Sequence, residues 1–169
     1  NTPCFSNAAY VRVHAMEITD LISSDTVIAN LHATSKKQVL QELSRRAADL
    51  TGEHERAIFD VLMERERLGT TGVGSGIAIP HGKLQSLERL YGMFARLEQP
   101  VDFQAIDERP VDLIFLLLAP ESAGADHLKA LARVSRVLRD QKVCEKLRGT
   151  ETPDALFAIL TEKMETEAA

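Results

Sequence analysis

The residue with most chemistry to offer is His81, in the stretch GIAIPHGKL (Gly76–Leu84), behind the small residues of TTGVGSG (Thr70–Gly76). A neutral imidazole is a nucleophile near pH 7, one ring nitrogen attacking while a hydrogen bond orients the other. Pro80 fixes φ and removes a backbone donor. The glycines permit backbone with positive φ and let another molecule approach closely. Together they predict a ring held in a defined pose at the surface, which is what in-line attack requires. The competing reading is an ordinary loop histidine on a surface turn. Ser75 is either loop filler or a hydrogen-bonding group near His81.

Other chemistries for the same stretch fail on spacing. A Walker loop needs four residues between its glycines, then Lys and Ser/Thr. Here five residues separate Gly76 and Gly82, and Leu84 follows Lys83. A dinucleotide fingerprint follows a strand and opens a helix, whereas this stretch follows a helix and runs into Pro80. A hydrolase elbow has glycines two residues either side of its serine; Ser75 has Val73 and Ile77 there. A metal role for His81 lacks companions, because His14, His32, His54 and His127 show no ligand spacing such as HExxH.

The surrounding elements must position this ring. Val27–Leu31 reads as a short strand. Ser35 with Gln38 forms a capping-box signature, with Val39, Leu40, Leu43, Ala47 and Leu50 at helical spacing and Gly52 as a stop. A second helix is predicted from about Glu53 to Leu68, with Ala57, Ile58, Val61, Leu62 and Leu68 inward. Gly76–Ile79 is extended, because the residue before a proline avoids the helical region. Leu90–Leu97 and Val111–Ala119 are strands, with turn chemistry at DERP (Asp107–Pro110) between them. VDLIFLLLA is apolar at nearly every position, so it is predicted central in a sheet covered on both faces. A third helix spans about Asp126–Arg139, with Leu128, Leu131, Val134 and Leu138 inward. A short helix follows near Lys142–Arg148, and a last one starts at Thr152-Pro153, a cap followed by proline at the first helical position. The expected architecture is α/β, a three-layer α/β/α sandwich around a small mixed β-sheet in a single domain.

The 169 residues suit one domain with a full core, and 44% hydrophobic with 27% charged residues is typical of a globular chain. A net charge of −5 supplies no basic field for nucleic acid or an anionic membrane. The longest apolar run, Leu113–Ala119, is strand length, which argues against membrane insertion. Cys4 and Cys144 lie far apart in no CxxC pair, which fits a reducing cytoplasm rather than a disulfide framework or a zinc site. Residues 1–15 carry no signal-peptide core and are read as an N-terminal extension, poorly ordered or outside a natural start at Met16; the domain is placed at 16–166.

The segment LGTTGVGSGIAIPHGKL (Leu68–Leu84) resembles the phosphorylation-site signature of enzyme IIA proteins of the bacterial phosphotransferase system. The resemblance is to the fructose/mannitol superfamily (EIIA type 2), most of all its nitrogen-regulatory branch. It is carried by Glu66, Val73-Gly74 and Ile77-Ala78-Ile79-Pro80-His81-Gly82, with DLI (Asp20–Ile22), RERLG (Arg65–Gly69), PVDLIFLLLAP (Pro110–Pro120) and HLKAL (His127–Leu131) in support. The resemblance implies His81 as phosphoacceptor, through Nε2 by family precedent, with Arg65 and His127 as its partners in the site. Arg65 would offer a forked, permanent cation to phosphoryl oxygens. His127 would lie in a first helical turn, where free amides and the dipole favour anions. Otherwise Arg65 is a solvated helix-end charge and His127 a surface or capping histidine.

The resemblance further implies an HPr-like carrier as donor, with no cofactor and no metal, and partners regulated by phosphorylation state, such as potassium-transport or sensor-kinase proteins. The alternative is a sugar-specific enzyme IIA passing phosphate to a IIB domain. The lack of an attached IIB or membrane segment in this sequence leans toward regulation. Val73, Ile77, Ile79 and Leu84 could form an apolar docking collar, although Ile77 and Ile79 also suit the core.

Overall fold

A computed structural model describes the backbone of residues 16–168, with side chains through Glu162. The predicted extension at 1–15 lies outside the described residues. Two short 3-10 turns lead into strand β1 (Val27–Leu31), then helices α1 (Lys36–Thr51) and α2 (Glu55–Leu68). Strands β2 (Gly72–Gly74), β3 (Ile77–Ala78) and β4 (His81–Leu84) follow, then β5 (Tyr91–Val101) and β6 (Val111–Pro120). Helices α3 (Ala125–Leu138), α4 (Gln141–Arg148) and α5 (Pro153–Ala168) complete the described chain.

The six strands form one mixed sheet in the order β1-β5-β6-β3-β2, with β4 also on β6. Strand β6 is central, antiparallel to β5 and parallel to β3 and β4. Its side chains are buried at every position but Asp112, as a strand covered on both faces must be. On one face Ile114, Leu116 and Leu118 pack with α1 and α2. On the other, Leu113, Phe115 and Leu117 pack with α3, α4 and α5. The three-layer sandwich expected from the sequence is what forms.

Local signals behave as their chemistry demands, with two adjustments. The Ser35 side chain accepts from the Gln38 amide at 3.1 Å, and Gly52 ends α1 at φ 78°. Gln38, however, reaches back to the amide and hydroxyl of Thr34 rather than to Ser35, so the capping box closes one residue early. The inward faces of the helices also differ from prediction. Leu68 is 83% exposed and Leu128 68% exposed, and Leu50 and Ala57 face outward too. In α3 the buried stripe is His127, Ala130, Val134, Val137 and Leu138. Apolar residues cover more than one stripe of this helix, so periodicity alone leaves its rotation open, and burying His127 settles it.

Candidate functional site

Strands β3 and β4 hold one register against β6: Ile77 lies opposite Leu113 and His81 opposite Leu117. They are a single parallel strand interrupted at Ile79-Pro80. The Pro80 carbonyl still accepts from the Leu117 amide at 2.9 Å across the interruption. His81 is therefore not the loop histidine of the competing reading but the first residue of an edge segment of the sheet. A sheet edge gives it more rigidity than a turn would, and its side chain remains partly exposed.

Two contacts fix the ring. Nδ1 lies 2.8 Å from the Ile79 carbonyl, and Nε2 accepts from the Arg65 Nε–H at 3.2 Å. A carbonyl can only accept and an arginine can only donate, so the proton sits on Nδ1 and the lone pair on Nε2. Burial lowers the pKa of His81 most; the bond to the Ile79 carbonyl opposes it, Arg65 lowers it to a lesser degree and Glu66 raises it least, and the net shift is downward. The ring is thus neutral near pH 7, with its nucleophilic nitrogen defined.

Arg65 is also held, its Nη1 donating to the Gly69 carbonyl at 2.8 Å. It reaches His81 because α2 packs tightly on β4, and Gly82 is what permits that. A Cβ at Gly82 would come 2.4 Å from Cγ1 of Val61, one helical turn before Arg65. Gly82 thus admits the protein's own helix, not another molecule. Gly82→Ala is expected to push α2 outward, costing about 1–3 kcal/mol, which is roughly 3–10 °C in melting temperature for a chain of this size. It should also change the ring-nitrogen chemical shifts of His81. Adding Val61→Ala should recover at least half of the melting loss; a Gly82→Ala protein as stable as wild type would refute the packing argument.

His127 is only 6% exposed, not on the surface, and its ring centroid lies 5.7 Å from that of His81. Burial, then His81 and Lys83, lower its pKa, so it too is neutral near pH 7. Its Nδ1 is buried without a hydrogen-bond partner among the described residues. It occupies the first turn of α3, where Gly124 supplies no side-chain cap. The three residues singled out by sequence therefore meet: two histidines side by side, with a guanidinium on the Nε2 of one.

Other expectations change. Ser75 does not serve His81; Ser75 and Gly76, at φ 58° and 79°, form the two-residue turn between β2 and β3. Its amide donates to Asp107 and its carbonyl accepts from Arg148, both at 2.8 Å. In the apolar collar, Ile77, Ile79 and Leu84 are buried and only Val73 is exposed. The exposed apolar residues nearest the site in the chain are Leu68, three after Arg65, and Leu128, next to His127. Helical spacing predicts both inward, and the structure turns both outward. Among the described residues no cluster of three or more His, Cys, Asp or Glu suited to a metal ion occurs. No described helix is long and apolar enough to cross a membrane.

Comparison with known proteins adds the following. The profile of the family described as "Phosphoenolpyruvate-dependent sugar phosphotransferase system, EIIA 2" matches residues 20–163. The chain is 58% identical over 145 residues to a nitrogen regulatory protein of Bradyrhizobium diazoefficiens, covering 86% of this chain and 95% of that one. It is 32% identical over 149 residues to the fructose-specific EIIABC component of Bacillus subtilis, covering 87% of this chain but 23% of that one. Among solved structures it resembles the nitrogen regulatory protein IIA-Ntr from Neisseria meningitidis, with a TM-score of 0.81 and 33% identity over 85% of this chain and 99% of that one.

Proposed function

The chain belongs to the EIIA type 2 family of the phosphoenolpyruvate-dependent sugar phosphotransferase system, and from that membership we propose that it is a phosphoryl carrier of the nitrogen-regulatory kind. In this reading His81 takes a phosphoryl group from the phosphohistidine of an HPr-like carrier, in the cytoplasm. The protein then regulates partners, such as potassium-transport or sensor-kinase proteins, according to whether it carries that group. The observation that carries the reading is the pair of contacts on the His81 ring, which leave the lone pair on Nε2 beside a guanidinium.

The Nε2 lone pair attacks phosphorus in line. A new N–P bond forms as the donor's N–P bond breaks, and the donor imidazole keeps that electron pair. The proton of His81 stays on Nδ1, still donated to the Ile79 carbonyl, which favours the positive charge developing on the ring. Arg65 turns its Nε–H from Nε2 to a phosphoryl oxygen, the kind of electrostatic stabilisation on which phosphoryl transfer depends. His127 and the first-turn amides of α3 supply the second side of the phosphoryl cradle. Leu68 and Leu128, exposed and close in sequence to Arg65 and His127, would be apolar contacts for the carrier.

The regulatory reading is preferred over sugar uptake through a IIB domain because identity is higher to the nitrogen regulatory protein than to the fructose-specific component. Reconstitution with phosphoenolpyruvate, enzyme I and the HPr-like carrier tests the relay. Intact mass is expected to gain one acid-labile phosphoryl group, and an unmodified protein beside active donors would end the proposal. Efficient passage onward to a IIB protein with sugar phosphorylation would favour the sugar-specific alternative.

The pH dependence follows from the lowered pKa of His81. Protonation places a proton on the attacking nitrogen, so the single-turnover rate should stay level as pH falls from 8 toward 7. It should decline only below the ordinary histidine value of about 6.5. An acid limb centred above that value would contradict the neutral, arginine-paired ring.

A further inference from the structure

Glu66 stands in the signature segment, yet the transfer just described gives it no part. Its side chain is 5% exposed. Both carboxylate oxygens accept from the Thr71 amide at 3.2 Å, and one accepts from the Thr71 hydroxyl. An acid this buried must be compensated, because an unpaired charge in a low-dielectric interior is costly. The compensation comes from a distant part of the chain. Lys36, the first residue of α1, places Nζ 2.6 Å from Glu66. The same ammonium donates to the Phe103 carbonyl at 3.2 Å and the Gln104 side chain at 3.3 Å, and lies 5.3 Å from the centre of the Phe103 ring. Lys36 thereby ties α1 and the segment after β5 to the last turn of α2.

From Glu66 the contacts run to His81. Thr71, held by the carboxylate, accepts from the Ile79 amide at 3.0 Å through its carbonyl. The Ile79 carbonyl is the group that receives Nδ1–H of His81 at 2.8 Å. The proton that leaves Nε2 free for attack is thus placed by a carbonyl whose own residue is hung from Thr71, and Thr71 from Glu66. Charge points the same way. Glu66 adjoins Arg65 in sequence and is near enough to act on the His81 ring electrostatically. Unpaired, it would oppose an arriving phosphoryl dianion, and Lys36 offsets it.

We propose that Lys36 is a positioning residue for phosphoryl transfer. By pairing with Glu66 it clamps the Thr71–Ile79 backbone that orients His81, and it keeps an uncompensated negative charge away from the phosphoryl group. The proposal rests on the reading of His81 as phosphoacceptor. A merely structural lysine would affect melting temperature and leave the ring's tautomer and the transfer rate of the folded protein alone.

The test uses the full chain as wild type, Lys36→Met, Lys36→Arg and Lys36→Met/Glu66→Gln, each checked for folding by thermal melting. Ring-nitrogen NMR of the unphosphorylated proteins comes first. Wild type and Lys36→Arg should show His81 with its proton on Nδ1, and Lys36→Met a mixture of tautomers. Single-turnover uptake from phosphorylated HPr-like carrier comes second. Lys36→Met should be about 10- to 100-fold slower, the scale set by small misplacements of reacting groups. Lys36→Arg should stay close to wild type. The double variant, which buries no lone charge, should recover most of the loss. Lys36→Gln, with the same expectations as Lys36→Met, covers the case in which the methionine variant does not fold. A folded Lys36→Met protein with the wild-type tautomer and rate overturns the proposal, as does a double variant no faster than the single one. If wild type takes no phosphate from active donors, the reading of His81 fails, and the tautomer comparison still decides whether Lys36 holds the ring.

Discussion

His81→Ala is expected to lower phosphoryl uptake from the HPr-like carrier by at least about 10⁴-fold, the scale on which removal of an essential nucleophile is felt. The fold should survive, because the side chain is only partly buried at the sheet edge and β4 pairs with β6 through its backbone. Intact mass after reconstitution should show no added phosphoryl group, with a melting temperature near that of wild type. His127→Ala supplies the contrast. It removes a neighbour of the ring but not the attacking nitrogen, so that protein should gain the group more slowly. If His81→Ala still acquires one acid-labile phosphoryl group, the acceptor is elsewhere.

Arg65→Gln should have the next largest effect. In the proposed transfer Arg65 would give up its bond to Nε2 for a phosphoryl oxygen, so its contribution would grow toward the transition state. Loss of one such preorganised donor costs about 10²–10³ in rate, and that is the expected drop in single-turnover uptake. The drop should lie mainly in the rate at saturating carrier rather than in carrier affinity. Arg65→Lys should recover only part, because a lysine restores the charge but not the planar fork that spans Nε2 and the Gly69 carbonyl. Both variants bear on the acid limb of the pH profile. Arg65 lowers the pKa of His81, so replacing it with a neutral side chain should move that limb to higher pH. A glutamine variant within a few-fold of wild-type rate would remove Arg65 from the proposed cradle.

The layered architecture and its central strand could be read from the sequence because β6 is apolar at nearly every position, a pattern that only a doubly covered strand explains. His81 was found because proline and glycine on either side of a histidine is a local signal. Its place in the sheet carries no such local signal, because Ile77–Leu84 follows β6 in one register and the strand resumes after Pro80. The exposed flank of α3 was misjudged for a related reason. A helix apolar over much of its circumference does not declare which stripe is inward, and burial of a histidine in place of Leu128 is decided by what lies beneath it. Gly82 was assigned to close approach, but the approaching atoms belong to Val61 of the same chain. Lys36 gives no signal in the sequence. It meets Glu66 across 30 residues of sequence, and a lone lysine at a helix start looks like any solvated charge.

The most direct single measurement is phosphorus–nitrogen coupling in the ¹⁵N-labelled protein after phosphorylation by the HPr-like carrier. The account predicts one phosphorus nucleus coupled to Nε2 of His81, with Nδ1 still protonated toward the Ile79 carbonyl. Coupling to Nδ1 of His81, or to any other residue, would contradict it.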